Sequence, residues 1–330
     1  MTTDWDFETL DAEIDEVRQR ILQHGRFLAS FFVGRQAEAD LMLLAAVTQE
    51  PLLFVGPPGT AKSDLVVKFV ESIGLDADAY FEYMLTKFTE PSEILGPIDI
   101  GLLKEGRFRR RTRGMLPEAS VVFLDEIFKS NSAILNTLLT IVNERKFYQD
   151  GAPEAVKLRL LFAATNDIPE QGELLALSDR FVLKVETRPV KERHFEALIE
   201  AGMRSDSCKA LSLRPWADGP ATFTDFLKLK RYLDLLFAES GRTGDSARWF
   251  PPGVFAELRR IIRVLEAEDQ IYVSDRKVVK IYKLIRARAF LHHGGAVQAG
   301  DLRVLRYVGN RRSEMAVVEE KVNHLLSLDD

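Results

Sequence analysis

Cysteine is almost missing from this 330-residue chain: Cys208 stands alone, so no internal disulfide can form, which suits a reducing compartment. Long apolar runs are missing too. No stretch approaches the roughly 18 consecutive apolar residues of a bilayer span, and membrane insertion is not expected. The acidic start, MTTDWDFETLDAEIDE, lacks the basic and apolar blocks of a signal or transit peptide, so the expected location is cytoplasmic. Charge is nearly balanced. With 45 basic and 50 acidic residues the net charge is -5, which draws the chain neither to nucleic acid nor to an anionic surface. The histidines at 24, 194, 292, 293 and 324 are scattered apart from one adjacent pair, and no zinc-ligand spacing is visible.

What is present centres on PLLFVGPPGTAKS, residues 51–63. Leu52, Leu53, Phe54 and Val55 have the length and composition of a fully buried strand, which Gly56, Pro57, Pro58 and Gly59 stop. Thr60, Ala61, Lys62 and Ser63 follow, and from Asp64 to Ile73 the apolar spacing is helical. A loop feeding a helix N-terminus offers free N–H groups and a positive dipole end to an anion, so residues 56–64 form the expected phosphate cradle. Lys62 would meet the outer phosphates as a point charge, and the Ser63 hydroxyl would ligate magnesium. The usual pattern has glycine before the lysine. Ala61 departs from it, so other features must support the reading.

A second constellation is VVFLDE, residues 121–126, an apolar strand ending in two carboxylates. Phosphoryl transfer to water uses both: Asp125 to hold magnesium through its water shell, Glu126 to orient and polarise the attacking water. Doubly wound sheets collect ligands at the carboxyl ends of their strands, which joins this pair to the loop upstream. The run Leu160–Ala164 is a third buried strand, and Asn166 just beyond it can orient water without adding charge. Residues 173–181, ELLALSDRF, read as a short helix ending in Asp179 and Arg180; Arg180 is either a surface arginine or one that reaches a neighbouring subunit's terminal phosphate.

Around these motifs, Leu10, Ile14, Val17 and Ile21 mark an N-terminal helix over residues 1–25 that packs on the core. FLASFFVGR, residues 27–35, reads equally as the wall of an adenine pocket, with Val33 and Gly34 at its end, or as core packing. Residues 89–114 form a Gly-punctuated insert carrying Arg107, Arg109, Arg110, Arg111 and Arg113; it is either a grip for nucleic acid or, more in keeping with its length, a charged solvated edge. Lys146–Gln149 and Val156–Arg159 suggest a hairpin around DGAPEA. Strand patterns stop at Pro189. Residues 26–189 are therefore expected to form an α/β nucleotide-binding domain and 190–330 an all-helical one, with 205–222 as loop. In its last long helices, Ser274 is a good N-cap, which places Arg276 in a first turn where a cation opposes the dipole unless an anion binds there.

Taken together, GPPGTAKS, FEYMLTKFTEPSEILGPI, GMLPEASVVFLDEIFKSNSAILNTLLTIVNERKF, LLFAATNDIPE, LSDRF and YVSDR resemble the MoxR family of AAA+ ATPases, most closely its RavA branch, in which alanine before the lysine recurs. The resemblance implies a parallel five-stranded α/β core followed by a smaller helical lid. It also implies ATP and Mg²⁺ as cofactors, with a hexameric ring whose sites are shared between subunits. Lys62, Ser63, Asp125, Glu126, Asn166, Arg180 and Arg276 take the roles of phosphate-loop lysine and serine, Walker B pair, sensor 1, arginine finger and sensor 2. The implied activity is ATP-driven remodelling of a protein partner, expected to carry a von Willebrand factor A (vWA) domain. A nucleic-acid motor or loader is the alternative. RavA-like chains also carry an extra partner-binding domain within the helical region, for which residues 190–330 leave no room.

Overall fold

In the computed structural model, which describes residues 5–170, 174–243 and 246–327, the apolar runs pair into one parallel sheet. In chain order the elements begin α1 (Phe7–Ala29), α2 (Gln36–Thr48), β1 (Leu52–Val55), α3 (Lys62–Ser72), β2 (Tyr80–Met84), α4 (Pro91–Leu95), α5 (Ile100–Lys104) and β3 (Val121–Asp125). They continue through α6 (Ser132–Glu144), β4 (Lys146–Gln149), β5 (Ala152–Ala155), β6 (Leu160–Thr165), α7 (Leu174–Ser178) and β7 (Leu183–Glu186). The remainder is helical: α8 (Phe195–Ala210), α9 (Phe223–Thr243), α10 (Ser246–Trp249), α11 (Pro252–Ala267), α12 (Asp275–His293) and α13 (Arg312–Ser327). Glu173, expected to open α7, lies outside the described residues.

The chain divides into two compact units, one of residues Gln49–Val70 and Leu75–Arg188, the other of Met1–Thr48, Glu71–Gly74 and Pro189–Asp330. The first holds the five-stranded sheet, in the order β2-β3-β6-β1-β7 with every pairing parallel. Strands buried on both faces need continuous apolar sequence, and Leu52–Val55 and Leu160–Thr165 are buried at every position. Phe162 sits at the centre, edge-on to Phe69 of α3 and tilted against Phe54. This unit carries the expected five-stranded α/β sheet, while residues 26–48, expected in the same domain, fall in the other unit.

In the helical unit α1 packs against α2 and α9, and α12 against α2. The N-terminal helix thus packs on α2, within the 26–189 stretch on which the sequence reading placed it, and on α9 as well. Its contacts give the reason: Phe7 stacks on Tyr232 of α9, and Arg20 pairs with Asp225. Helix α11 turns Leu258, Ile261 and Leu265 inward, as its spacing predicts. Among the described residues no helix is long and apolar enough to cross a membrane.

Two expectations are corrected here. The hairpin pairs Lys146–Gln149 with Ala152–Ala155, four residues earlier than Val156–Arg159. Asp150 and Gly151 both have positive φ, 52° and 74°, so Asp-Gly is itself the two-residue turn and the return strand starts at once. Helix α8 also runs on to Ala210, so 205–210 are helix and not loop.

His24 ties three segments of the helical unit together. Its Nδ1 accepts from the Ala221 N–H at 3.3 Å, which leaves Nε2 to donate to the Ser72 hydroxyl at 2.9 Å. Burial lowers its pKa to about 4, against a weaker upward pull from Asp225. Since the folded state holds fewer protons than the unfolded one between pH 4 and 6.5, the stabilisation is complete above pH 6.5 and is lost as pH falls through that window, at up to about 1.4 kcal/mol per pH unit. Chemical denaturation from pH 7 to 4 should therefore show a steeper loss of stability for the native chain than for His24→Gln; parallel curves would remove His24 from the acid sensitivity.

Candidate nucleotide site

Strand register decides which residues meet. Val55 pairs with Thr165 and Leu124 with Ala163, so the carboxyl ends of β1, β3 and β6 lie along one edge of the sheet. Gly56, Asp125 and Asn166 therefore emerge together. The Gly56 N–H continues the ladder to the Thr165 carbonyl at 3.1 Å, and a Cβ at Gly56 would stand 2.4 Å from the Thr187 carbonyl oxygen, so only glycine fits.

The loop after Gly56 is held by its own side chains. Thr60 Oγ1 donates to the Pro57 carbonyl at 2.9 Å and meets Thr187 Oγ1 at 3.0 Å, tying the loop to the end of β7. Lys62 is buried, and its ammonium donates to the carbonyls of Gly56 and Pro57 at 2.6 and 2.9 Å. Burial pushes the Lys62 pKa down, while the carboxylates of Asp125 and Glu126 pull it back up. Ala61 has φ +65°, the left-handed conformation that glycine adopts freely. Its departure from the usual motif is therefore a backbone cost of about 1–2 kcal/mol carried by this chain.

Facing the loop, the Ser63 hydroxyl lies 3.4 Å from Asp125 Oδ2. Asp125 turns its other oxygen to the backbone N–H of Glu126, at 2.8 Å. Glu126 is itself left-handed, φ 52°, and a single such non-glycine residue at a strand end is a frequent companion of function. Its carboxylate accepts from Asn166 Nδ2 at 2.6 Å and pairs with Lys129 at 3.2 Å. The Ser63 hydroxyl and the Asp125 carboxylate beside it make a sparse donor set. It suits Mg²⁺, which keeps most of its shell as water and phosphate oxygen, and among the described residues no cluster of three or more His, Cys, Asp or Glu competes for a metal.

The remaining predicted residues divide between the two units. Arg180, in the sheet unit, has Asp179 3.8 Å away as its ion-pair partner, and its Nε is shielded from solvent without a hydrogen bond. Val33, Gly34 and Arg276 belong to the helical unit. Gly34 has φ +66° and lies against Val190 and the His194 ring. Arg276 is exposed in the first turn of α12, whose N-cap Ser274 accepts from the Lys277 N–H. Sequence reasoning missed Lys129, Thr187, Val190 and His194. Lys129 alone had a local signal, three residues beyond Glu126 in DEIFK.

A parallel sheet in this order, a phosphate-loop-like turn after β1, an acidic pair after β3 and an appended helical unit define the AAA+ class of P-loop nucleoside triphosphatases. The family model described as the MoxR domain in MoxR–vWA–β-propeller ternary systems matches residues 19–215, and one for an AAA lid domain matches 254–322. The chain belongs to the MoxR family. Two uncharacterized Methanocaldococcus jannaschii proteins are similar to it: MJ0079, 32% identical over 89% of this chain and 71% of its own, and MJ0812, 34% identical over 85% and 69%. Chaperone MoxR1 of Mycobacterium tuberculosis is 24% identical over 62% of this chain and 53% of its own. A Cytophaga hutchinsonii crystal structure, provisionally described as an ATPase, shares the fold with a TM-score of 0.72 at 15% identity, over 97% of each chain.

Ala61→Gly removes the left-handed penalty and adds back part of it as unfolded-chain entropy. It should raise stability by about 0.5–1 kcal/mol and leave ATP binding unchanged, as followed by denaturant unfolding and titration with a fluorescent ATP analogue; weakened binding would give Ala61 a direct part in the site.

Proposed function

We propose that this chain hydrolyses ATP with Mg²⁺ as a ring-forming remodelling factor. The observation that carries the reading is the bond from Asn166 Nδ2 to Glu126 Oε1, because it holds the carboxylate at the sheet edge beside the loop. In this reading Gly56–Asp64 cradle the phosphates, with Lys62 swinging from its own loop carbonyls to the anion. Ser63 and Asp125 hold the metal, which supplies neutralisation of phosphate charge. Glu126 takes a proton from the attacking water, and Asn166 keeps that carboxylate oriented. Arg180, paired in its own chain with Asp179 at 3.8 Å, serves a neighbouring subunit's site. Val33 and Gly34 are assigned to the base and Arg276 to the terminal phosphate.

The rest of the proposal is supported by the family. The matched model is described by systems that join MoxR to vWA and β-propeller components, and on that description the partner is a vWA-domain protein. The RavA-like affinity rests on Ala61 and the central sequence stretch alone; the partner is drawn from the matched description. A hexamer and a cytoplasmic location complete the proposal, the latter on the single cysteine. Nothing favours a nucleic-acid motor: Arg109 pairs with Glu154, Arg111 with Asp99 at 3.0 Å, and Arg110 donates to the Gly96 carbonyl at 2.9 Å, so three of the five arginines already serve the insert and its hairpin.

Glu126→Gln should retain ATP binding and lose at least about 100-fold in turnover, the usual share of a general base. Phosphate release near the native rate would remove Glu126 from that role. Arg180→Ala, inactive alone, should regain activity when mixed with Glu126→Gln, because one interface of a mixed ring then has both groups intact; mixtures that stay inactive at every ratio would rule out action in trans.

A further inference from the structure

Helix α8 buries none of its residues. Phe195, Leu198, Ile199 and Met203 fall on one face, and Phe195, Ile199 and Met203 are 63%, 51% and 64% exposed. Glu196 and Glu200 flank this stripe on one side and Asp206 lies in line with it, while Arg204 is on the opposite face and Lys209 in the last turn. A surface helix in water ordinarily turns its large apolar residues to the core. Here the half-buried side carries the small residues Ala201, Ser205 and Cys208, and the large residues face out.

The same unit holds a groove of matching chemistry, a cavity of about 690 Å³ along the outer face of α11. Its floor is aromatic: Phe250 stacks on Tyr282 at 4.9 Å, and Phe255 meets Phe250 edge-on at 5.4 Å. Its rim is Arg259, Arg260 and Arg263. Arg260 is neutralised by Glu257 at 2.6 Å, so Arg259 and Arg263 supply the net positive charge. One face of each ring is already taken, that of Phe250 by Tyr282 and that of Phe255 by Arg259 at 5.7 Å. The floor therefore offers mainly apolar volume and ring edges, and less of the open ring face on which a nucleobase would stack. An apolar side chain flanked by carboxylates is the occupant that fits.

We propose that α8 of one copy of this chain docks, apolar stripe first, into the arginine-rimmed groove of another copy, setting Glu196 and Glu200 against Arg259 and Arg263. Amphipathic helices bind grooves in this way through anchors at i, i+3, i+4 and i+7 or i+8. Helix and groove are different surfaces, so the contact is heterologous and passes from copy to copy, closing as a ring or running on as a helix. The inference rests on the self-assembly proposed above and names a surface for it.

The test uses a fluorescein-labelled peptide of residues 192–211 titrated with the full chain, diluted to where light scattering shows a monomer so that its groove is open, and followed by anisotropy. Saturable binding is expected, at least tenfold weaker to the Arg259→Glu/Arg263→Glu chain and restored to within threefold when the peptide carries Glu196→Arg/Glu200→Arg. No binding to the native chain, equal binding to both chains, or no restoration by the reversed peptide would each overturn the pairing; so would groove-dependent capture of a thymidine 20-mer in place of the peptide. In parallel, the Arg259→Glu/Arg263→Glu chain should show a lower mass by light scattering while binding a fluorescent ADP analogue as the native chain does. Native mass with native nucleotide binding would overturn this interface and leave the ring reading standing, whereas lost nucleotide binding in the native chain would strike the function itself.

Discussion

The insertion of β6 between β1 and β3 is the constraint on which the candidate site depends. Each strand ends in one chemical group, and parallel pairing brings those ends to one edge: Gly56 after β1, Asp125 at the end of β3, Asn166 after β6. Parallel strands need crossover connections, so residues more than 100 positions apart in sequence become neighbours through backbone hydrogen bonds alone. The complete burial of Phe54, Phe123 and Phe162 on these three strands fixes the register, since a one-residue slip would exchange the two faces of the sheet. The Asn166–Glu126 bond follows from that register.

Strain gathers at the same edge. Ala61 and Glu126 are both left-handed, one entering the helix of the phosphate loop and one leaving the acidic strand. Such conformations persist only where neighbours over-determine them. Here the neighbours are identifiable: Thr60 bonded to Thr187, Lys62 bonded to the loop carbonyls, Asp125 bonded to the Glu126 N–H, and Glu126 shared between Asn166 and Lys129. The lysine in particular is held by weak acceptors that an anion would outbid. A loop closed on itself in this way would be preorganised for the proposed phosphate, with little to rearrange beyond one side chain.

Much of this was legible in the amino-acid sequence, for a physical reason. Strands buried on both faces read as unbroken apolar runs, and the groups that end them are adjacent in sequence to the runs, so the loop, the acidic pair and Asn166 could be named without coordinates. What could not be read depends on tertiary contact. Val190 and His194 lie beside Gly34 only because the chain returns there. The helix at residues 7–29 joins the lid helices through Tyr232 and Asp225, partners about 200 residues distant. The return strand of the hairpin starts at Ala152 and not at Val156, because Asp150 and Gly151 alone complete the turn within DGAPEA. The sequence places a loop from Ser205 because the polar second half of α8 hides the helical period, and the exposed apolar stripe is visible only once burial is known.

The account joins a nucleotide site at the sheet edge to assembly between copies, with Arg180 linking the two. The most direct test is phosphate release per chain from MgATP, measured across a dilution series that spans assembly by light scattering. The account predicts that specific activity rises with protein concentration and levels off as the assembled species saturates. A rate per chain that is the same for a demonstrated monomer and for the assembly would contradict it.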